Sequence, residues 1–216
     1  MNIVFLKLIS AISGFFLFVF LILHALGNLK YFQGQEKFDS YAIFLRSFGE
    51  EFLGHATALW IFRLSLMAAF VTHIFSTIIL WRINSKARPS YEGQIWYRSA
   101  TVSSRYMVFL GLVVFAFVVF HLLHLTFGFI HPPGFEHLKV FNNVTISFSQ
   151  LTYLIIYLIG VTAATFHVSH GFWSAFASLG ASYNIVLSAR KVARYAALVI
   201  WLMFMSVPFY IYLFKS

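Results

Sequence analysis

The side chains best equipped for chemistry in this chain are its histidines. There are nine, and six of them (His24, His73, His121, His124, His167 and His170) fall inside long apolar runs rather than between them. An ionisable side chain in hydrocarbon is costly and is usually kept there for a function. Neutral imidazole is the commonest protein ligand for metals and one of the axial ligands of haem iron. His121/His124 and His167/His170 each recur at a spacing of three, which sets two rings on one helix face. Three chemistries are open to such a set: haem held between imidazoles from two helices, a non-haem metal chelated by the HxxH pairs as in a membrane oxygenase, or a proton relay in a cofactor-free transporter. The second would want further histidines and carboxylates, and the third an intramembrane carboxylate. The apolar runs contain no Asp or Glu. The chain also has no cysteine, which excludes disulfides, iron–sulfur clusters and thiolate metal sites on it.

The elements that must position these rings follow from composition. The 216 residues are 61% apolar and 10% charged, whereas a soluble domain is about a quarter charged, so a water-soluble protein is excluded. At about 20 apolar residues per crossing, the sequence predicts five transmembrane helices near 8–29, 57–81, 106–130, 151–179 and 196–214. The first is fenced by Lys7 and Lys30, and no small-residue cleavage site follows it, which reads as a retained helix rather than a signal peptide. Only Arg63 interrupts the second. His131-Pro132-Pro133-Gly134 stops the third, because proline cannot continue the hydrogen-bond ladder. Pro208 predicts a kink near the end of the fifth. The longest connection, 31–55, carries Phe38, Tyr41, Phe44, Leu45 and Phe48 at near-helical spacing, a candidate interfacial helix. No internal repeat is visible, so residues 1–216 read as a single all-α integral membrane domain, a four-helix bundle plus a fifth helix.

Charge orients it. Lys7, Arg82, Lys86, Arg88, Arg98, Arg105, Arg190, Lys191 and Arg194 lie on the amino-terminal side, against Lys30, Lys37, Arg46, Lys139, Lys215 and the embedded Arg63 on the other, which also holds five of the six acids. The positive-inside rule therefore predicts a cytoplasmic amino terminus. The net charge of +9 is explained the same way and does not call for nucleic acid as a partner.

Depth sorts the histidines. Counting 1.5 Å per residue from each span's centre, His24 lies roughly 8 Å and His121 roughly 4–5 Å towards the outside, while His73 lies roughly 6 Å and His167 roughly 3 Å towards the cytoplasm. Because the helices alternate in direction, the four form two pairs: His24 with His121, and His73 with His167. Two imidazoles facing each other at one depth suit a haem with no open coordination position, which carries electrons. Two such haems along the membrane normal would make a wire, and an interior rich in phenylalanine (28 in the chain) suits a large apolar ring. Gly14, Gly27, Gly111 and Gly160 read as sites of close helix packing. Met67, Met107, Met203 and Met205 read as apolar filler, and His55, His131 and His137 as solvated side chains of connections.

The local sequences around these histidines resemble the membrane anchor of type B succinate:quinone oxidoreductases, the succinate dehydrogenases and fumarate reductases linked to menaquinone. The similar stretches are Leu-Ile-Leu-His at 21–24 with Asn28 following, Val-Thr-His at 71–73, Phe-Val-Val-Phe-His at 117–121 and Ala-Thr-Phe-His-Val-Ser-His-Gly-Phe-Trp-Ser at 164–174. The resemblance implies two haems b, with His24 and His121 as iron ligands of the outer and His73 and His167 of the cytoplasmic one. It favours His167 over His170 and His121 over His124. It also implies a quinone, a flavoprotein partner with FAD interconverting succinate and fumarate, and an iron–sulfur partner docking on the cytoplasmic face, for which the basic 82–105 connection is a candidate surface. It would place the protein in the bacterial cytoplasmic membrane and leaves open whether complexes pair as dimers of heterotrimers. Some family members carry a proton-path Glu two residues before the fourth ligand, where this chain has Thr165. No quinone-site Glu lies in register, which leaves Glu50 and Glu51 as the nearest candidates.

Overall fold

Apolar runs of this length leave the backbone one way to satisfy its own hydrogen bonds in lipid, the α-helix. The computed structural model describes residues 2–86 and 95–215, and among them it holds helices and no strand. They run α1 Ile3–Leu29, a short 3₁₀ turn Lys30–Gln33, α2 Gln35–Ser47, α3 Glu50–Leu53, α4 Thr57–Lys86, α5 Ile95–His121 continued by a π-helical turn Leu122–Thr126, α6 Val140–Phe148, α7 Leu151–Ser178 and α8 Tyr183–Phe214. Of these, α1, α4, α5, α7 and α8 are long and apolar enough to cross a bilayer. Asn2 caps α1 by accepting the Val4 N–H at 2.9 Å. Large apolar side chains such as Phe15, Leu23, Phe109 and Leu202 face outward, as they must when the surrounding solvent is lipid.

Several helices run past their apolar segments. α5 starts at Ile95 and α8 at Tyr183, so Arg190, Lys191 and Arg194 sit on helix rather than in a loop. Hydropathy marks the lipid-immersed part of a helix, and backbone hydrogen bonding does not stop where that part ends. At the other end of α5 the helix gives way by Phe127, short of Ile130. Gly128, at φ +74°, turns the chain there, and the Phe135 ring leaves no room for a Cβ. α8 continues through Pro208, which is buried. In the basic 82–105 connection, residues 87–94 lie outside the described residues.

Neighbouring helices define a ring. α1 packs against α4 and α7, α7 against α5, and α8 lies against α7 and α1. α4 and α5 close the ring across an apolar cleft of about 270 Å³ lined by residues including Met67, Val71, Phe75 and Val118, and bridged by Phe70 and Phe115, whose rings stack at 6.2 Å. Around the bundle the order is therefore α4, α1, α7, α5, which makes α1 and α5 one diagonal and α4 and α7 the other.

The end of the bundle away from the amino terminus is closed by the connections. α2 occupies the stretch expected as an interfacial helix. Its Phe38 is buried with Tyr31, Phe148, Tyr157 and Ile211, whereas Phe44 and Phe48 stay exposed. Asp39 of α2 accepts the Phe141 N–H at 2.9 Å, tying α2 to α6. α6, unmarked by any hydropathy boundary, carries Asn143 and Ser147 into the interior.

Candidate cofactor site: two histidine pairs on two levels

Each diagonal of the ring carries one histidine pair. His24 on α1 and His121 on α5 face each other with ring centres 5.8 Å apart at 75°. His73 on α4 and His167 on α7 do the same at 6.4 Å and 80°. The pairs that meet are the pairs that the depth count groups together. Three helices give the spacing between the levels independently. Gly14 abuts His73, Gly111 abuts His167, and Tyr157 bonds His121. On α1, α5 and α7 in turn, these contacts lie ten residues from His24, His121 and His167. At 1.5 Å per residue the two levels are about 15 Å apart.

The ring nitrogens show which atoms are free to bind something. His73 Nδ1 lies 3.1 Å from the Ser10 carbonyl oxygen and 3.4 Å from Ser13 Oγ, so its N–H donates to the carbonyl and Nε2 keeps its lone pair. His121 Nδ1 lies 3.0 Å from the Tyr157 hydroxyl. Oxygen partners of this kind fix the tautomer and aim of a ligating imidazole. At the opposite ring of the lower level, His167 Nδ1 is buried without a hydrogen-bond partner, the one such side-chain atom found among the described residues. Leaving a buried polar atom unpaired costs about 1–3 kcal/mol, and this one lies on the side of the ring towards Gly111 of α5.

The neighbouring histidines are held differently. His124 is fully buried, swung inward by the π-helical turn, and both its nitrogens are engaged: Nδ1 with the Tyr157 hydroxyl at 3.0 Å and Nε2 with Ser147 Oγ at 3.0 Å. It has no lone pair to spare beside His121, which argues against an HxxH chelate there. Among the described residues no group of three or more His, Asp or Glu side chains converges to hold a metal ion. His170 packs on Trp173 at 4.6 Å, and Arg190 lies over the same indole at 4.2 Å.

An imidazole nitrogen sits about 2 Å from a bound metal and about 1.2 Å from its own ring centre, so two rings clamping one ion hold their centres about 6.4 Å apart. The observed 5.8 and 6.4 Å fit that requirement. So do the oxygen partners on Nδ1 of His73 and His121, which leave Nε2 of each as the nitrogen available to a metal. The donor set fits a haem ligated by two histidines at each level. Phe20, stacked on His24 at 5.3 Å, and Phe117, 6.2 Å from His121, wall the upper level with aromatic rings.

Other expectations fare variously. The four glycines face side chains rather than open space: Gly14 and Gly111 face histidine rings, Gly27 faces Tyr41, and a Cβ on Gly160 would overlap Phe117. Met205 is core, between α7 and α8. Glu50 and Glu51 lie on α3, at the exposed end of the bundle nearest the His24–His121 level, and Glu50 pairs with the exposed His55 at 3.3 Å. Thr165 is buried and satisfied within its helix, its hydroxyl donating to the Val161 and Thr162 carbonyls. His137 is exposed as expected, but His131 is not an ordinary solvated loop side chain. It stacks on His124 at 5.3 Å, and its Nε2 lies 2.9 Å from Ser147 Oγ. Sequence reasoning missed Tyr157, Ser10, Ser13 and Ser147, polar residues inside apolar runs whose partners lie on other helices. No protein-family model, curated protein or solved structure matches the chain.

Proposed function

We propose that the chain is a dihaem cytochrome b membrane anchor of the succinate:quinone oxidoreductase type, passing electrons between an iron–sulfur partner on the amino-terminal side and quinone towards the other. The observation that carries this reading is the pair of imidazole clamps, one on each diagonal of a four-helix ring, about 15 Å apart along it. Haem b in each clamp would supply reversible one-electron transfer without an open site for oxygen. The chain's own residues do the holding. The Ser10 carbonyl accepts from His73 Nδ1–H and the Tyr157 hydroxyl engages His121 Nδ1, so Nε2 of each would be the nitrogen that holds the iron. His24 and His167 complete the clamps, and the surrounding phenylalanines exclude water.

The partners belong to the same proposal: a flavoprotein with FAD, an iron–sulfur subunit against the basic amino-terminal face, and menaquinone as the favoured quinone, with Glu50 and Glu51 as the quinone-site candidates. Moving a charge across the full membrane potential is worth about 2.3 kcal/mol per 100 mV, so the direction of such a wire couples succinate–fumarate chemistry to that potential.

The test is the optical spectrum of the purified chain. Low-spin b-type bands at two haems per chain are the expected result. His73→Ala and His167→Ala should each remove the same haem, and His24→Ala and His121→Ala the other. Colourless protein, or bound non-haem iron or zinc in place of haem, would overturn the proposal. Loss of one haem on changing His73 but not on changing His167 would break the pairing.

A further inference from the structure

The upper histidine pair does not end at His121. From its Nδ1 a continuous run of hydrogen bonds leads through the Tyr157 hydroxyl (3.0 Å) to His124 Nδ1 (3.0 Å), from His124 Nε2 to Ser147 Oγ (3.0 Å), and from Ser147 Oγ to His131 Nε2 (2.9 Å). Tyr157, His124 and Ser147 are buried, and His131, half-buried in the 127–139 connection, is where the run meets the surface. Every member can both donate and accept. If His121 Nε2 holds a metal, its Nδ1 carries the hydrogen and donates to Tyr157. Tyr157 then donates to His124 Nδ1, and His124 Nε2–H donates to Ser147. The Ser147 hydroxyl is left with two acceptors, His131 Nε2 and the Asn143 carbonyl at 2.7 Å. His131 can also be accommodated with both nitrogens protonated, because Nδ1 lies 2.7 Å from the Pro132 carbonyl and Nε2 2.9 Å from that of Asn143.

We propose that Tyr157, His124, Ser147 and His131 form a proton-linked relay, in which His131 takes up a proton from the adjoining aqueous face when the His24–His121 level gains an electron and releases it when that electron leaves. The inference rests on the haem reading above. The electron comes from quinol, or from the iron–sulfur partner by way of the His73–His167 level. The proton comes from water and forms an N–H bond on His131, so no other bond is made or broken. Ser147 is the joint: its hydroxyl points to His131 when that ring is neutral and to Asn143 when it is charged, and because Oγ accepts from His124 Nε2–H in both states, the His131 charge acts inward through the strength of that bond and not by a proton passed along it. The charged and titratable groups around His131 are few. His124 stacks on it, and α7 offers Tyr153, whose hydroxyl donates to the Ile130 carbonyl at 2.9 Å. α6 presents Asn143 and Ser147, both uncharged. Its own connection carries His137 and the exposed Glu136–Lys139 ion pair.

The experiment is a redox titration of the intact complex, following each b-type signal optically between about pH 5 and 8, where histidine side chains change charge. The signal lost in His24→Ala should move to lower potential as pH rises, by up to about 59 mV per unit, the value for a tenfold change in a one-electron equilibrium. His131→Gln should keep both spectra and abolish that slope. Ser147→Ala should weaken it, and His137→Gln should leave it intact. A flat wild-type response, or an undiminished slope in His131→Gln, overturns the relay, and the wild-type measurement decides even where a variant fails to assemble. Absence of b-type bands instead sinks the haem reading, and the relay with it, whereas bands without a slope sink the relay alone.

Discussion

Tyr157→Phe separates the two levels more cleanly than any change to a ligand. The hydroxyl is the shared partner of His121 Nδ1 and His124 Nδ1, each at 3.0 Å. The ring itself packs edge-on against Phe117 at 5.2 Å and Phe148 at 4.8 Å, contacts that phenylalanine keeps. The variant therefore removes one oxygen and leaves two imidazole nitrogens facing each other across the gap. Stranding a buried polar group costs about 1–3 kcal/mol. The total should stay within that range, because the His121 N–H can swing towards the freed His124 lone pair. Viewed from the metal, losing an outer-shell partner of a ligating histidine costs about 10–100-fold in affinity. At 1.4 kcal/mol per tenfold that is about 1.4–2.8 kcal/mol, so the two routes agree.

The assay is haem titration into the chain with optical readout, resolved into its two components. Tyr157→Phe should weaken the His24–His121 component by about 10–100-fold and leave the other within error. His73 takes its orientation from the Ser10 carbonyl on α1, about 15 Å along the bundle. Tyr153→Phe, whose hydroxyl donates to the Ile130 carbonyl at the surface, should change neither component. Equal loss at both levels, or no loss at either, would refute the idea that this hydroxyl orients His121.

Gly14→Ala places a Cβ 3.0 Å from His73 Cε1 and 3.2 Å from its Nδ1, so the ring must give by a few tenths of an ångström, and the His73–His167 haem should be weakened in the spectrum. Gly111→Ala meets His167 at an ordinary 3.5 Å and should retain both haems. Gly160→Ala drives a methyl into the Phe117 ring, and thermal unfolding should report an overpacking cost of about 1–3 kcal/mol. Trp201→Phe removes the Nε1–H bond to Thr162 Oγ1 at 2.9 Å, which should lower stability in thermal unfolding by about 1 kcal/mol.

The levels of the histidines were legible because two rigid quantities fix them: the rise of a helix and the alternation of helix direction. Neither depends on packing detail. What orients the rings was not legible. Tyr157 is one of eleven tyrosines and looks like a neighbour of Tyr153 until α5 is set beside α7. Ser10 and Ser13 look like incidental polar residues in an apolar run until α4 brings His73 against them. His131 reads as a loop histidine because nothing local shows that α6 folds back and presses Ser147 against it. Helix ends failed for a different reason, since arginines and lysines end the lipid-facing part of α8 without ending its hydrogen bonding. The family resemblance favours His121 over His124, and the engagement of both His124 nitrogens, with Tyr157 and Ser147, supports the same choice.

α8 carries no histidine, and its place in the bundle explains what it contributes. α7, like α1, serves both levels, supplying His167 to the lower and Tyr157 to the upper, ten residues apart. A turn of α7 by one residue, about 100°, would withdraw both at once. Its opposite side is held by α8: Leu154 and Val161 bury against Met205, and Trp201 donates to Thr162 from across the interface. α8 thus fixes the rotation of a helix on which both clamps depend. A change that loosens this seam without touching any histidine, such as Met205→Ala, should weaken the two haems together, in contrast to the single-level loss expected from Tyr157→Phe. Loss confined to one level would mean that α7 is held by its contacts with α5 and α1, and that the fifth helix serves some other purpose.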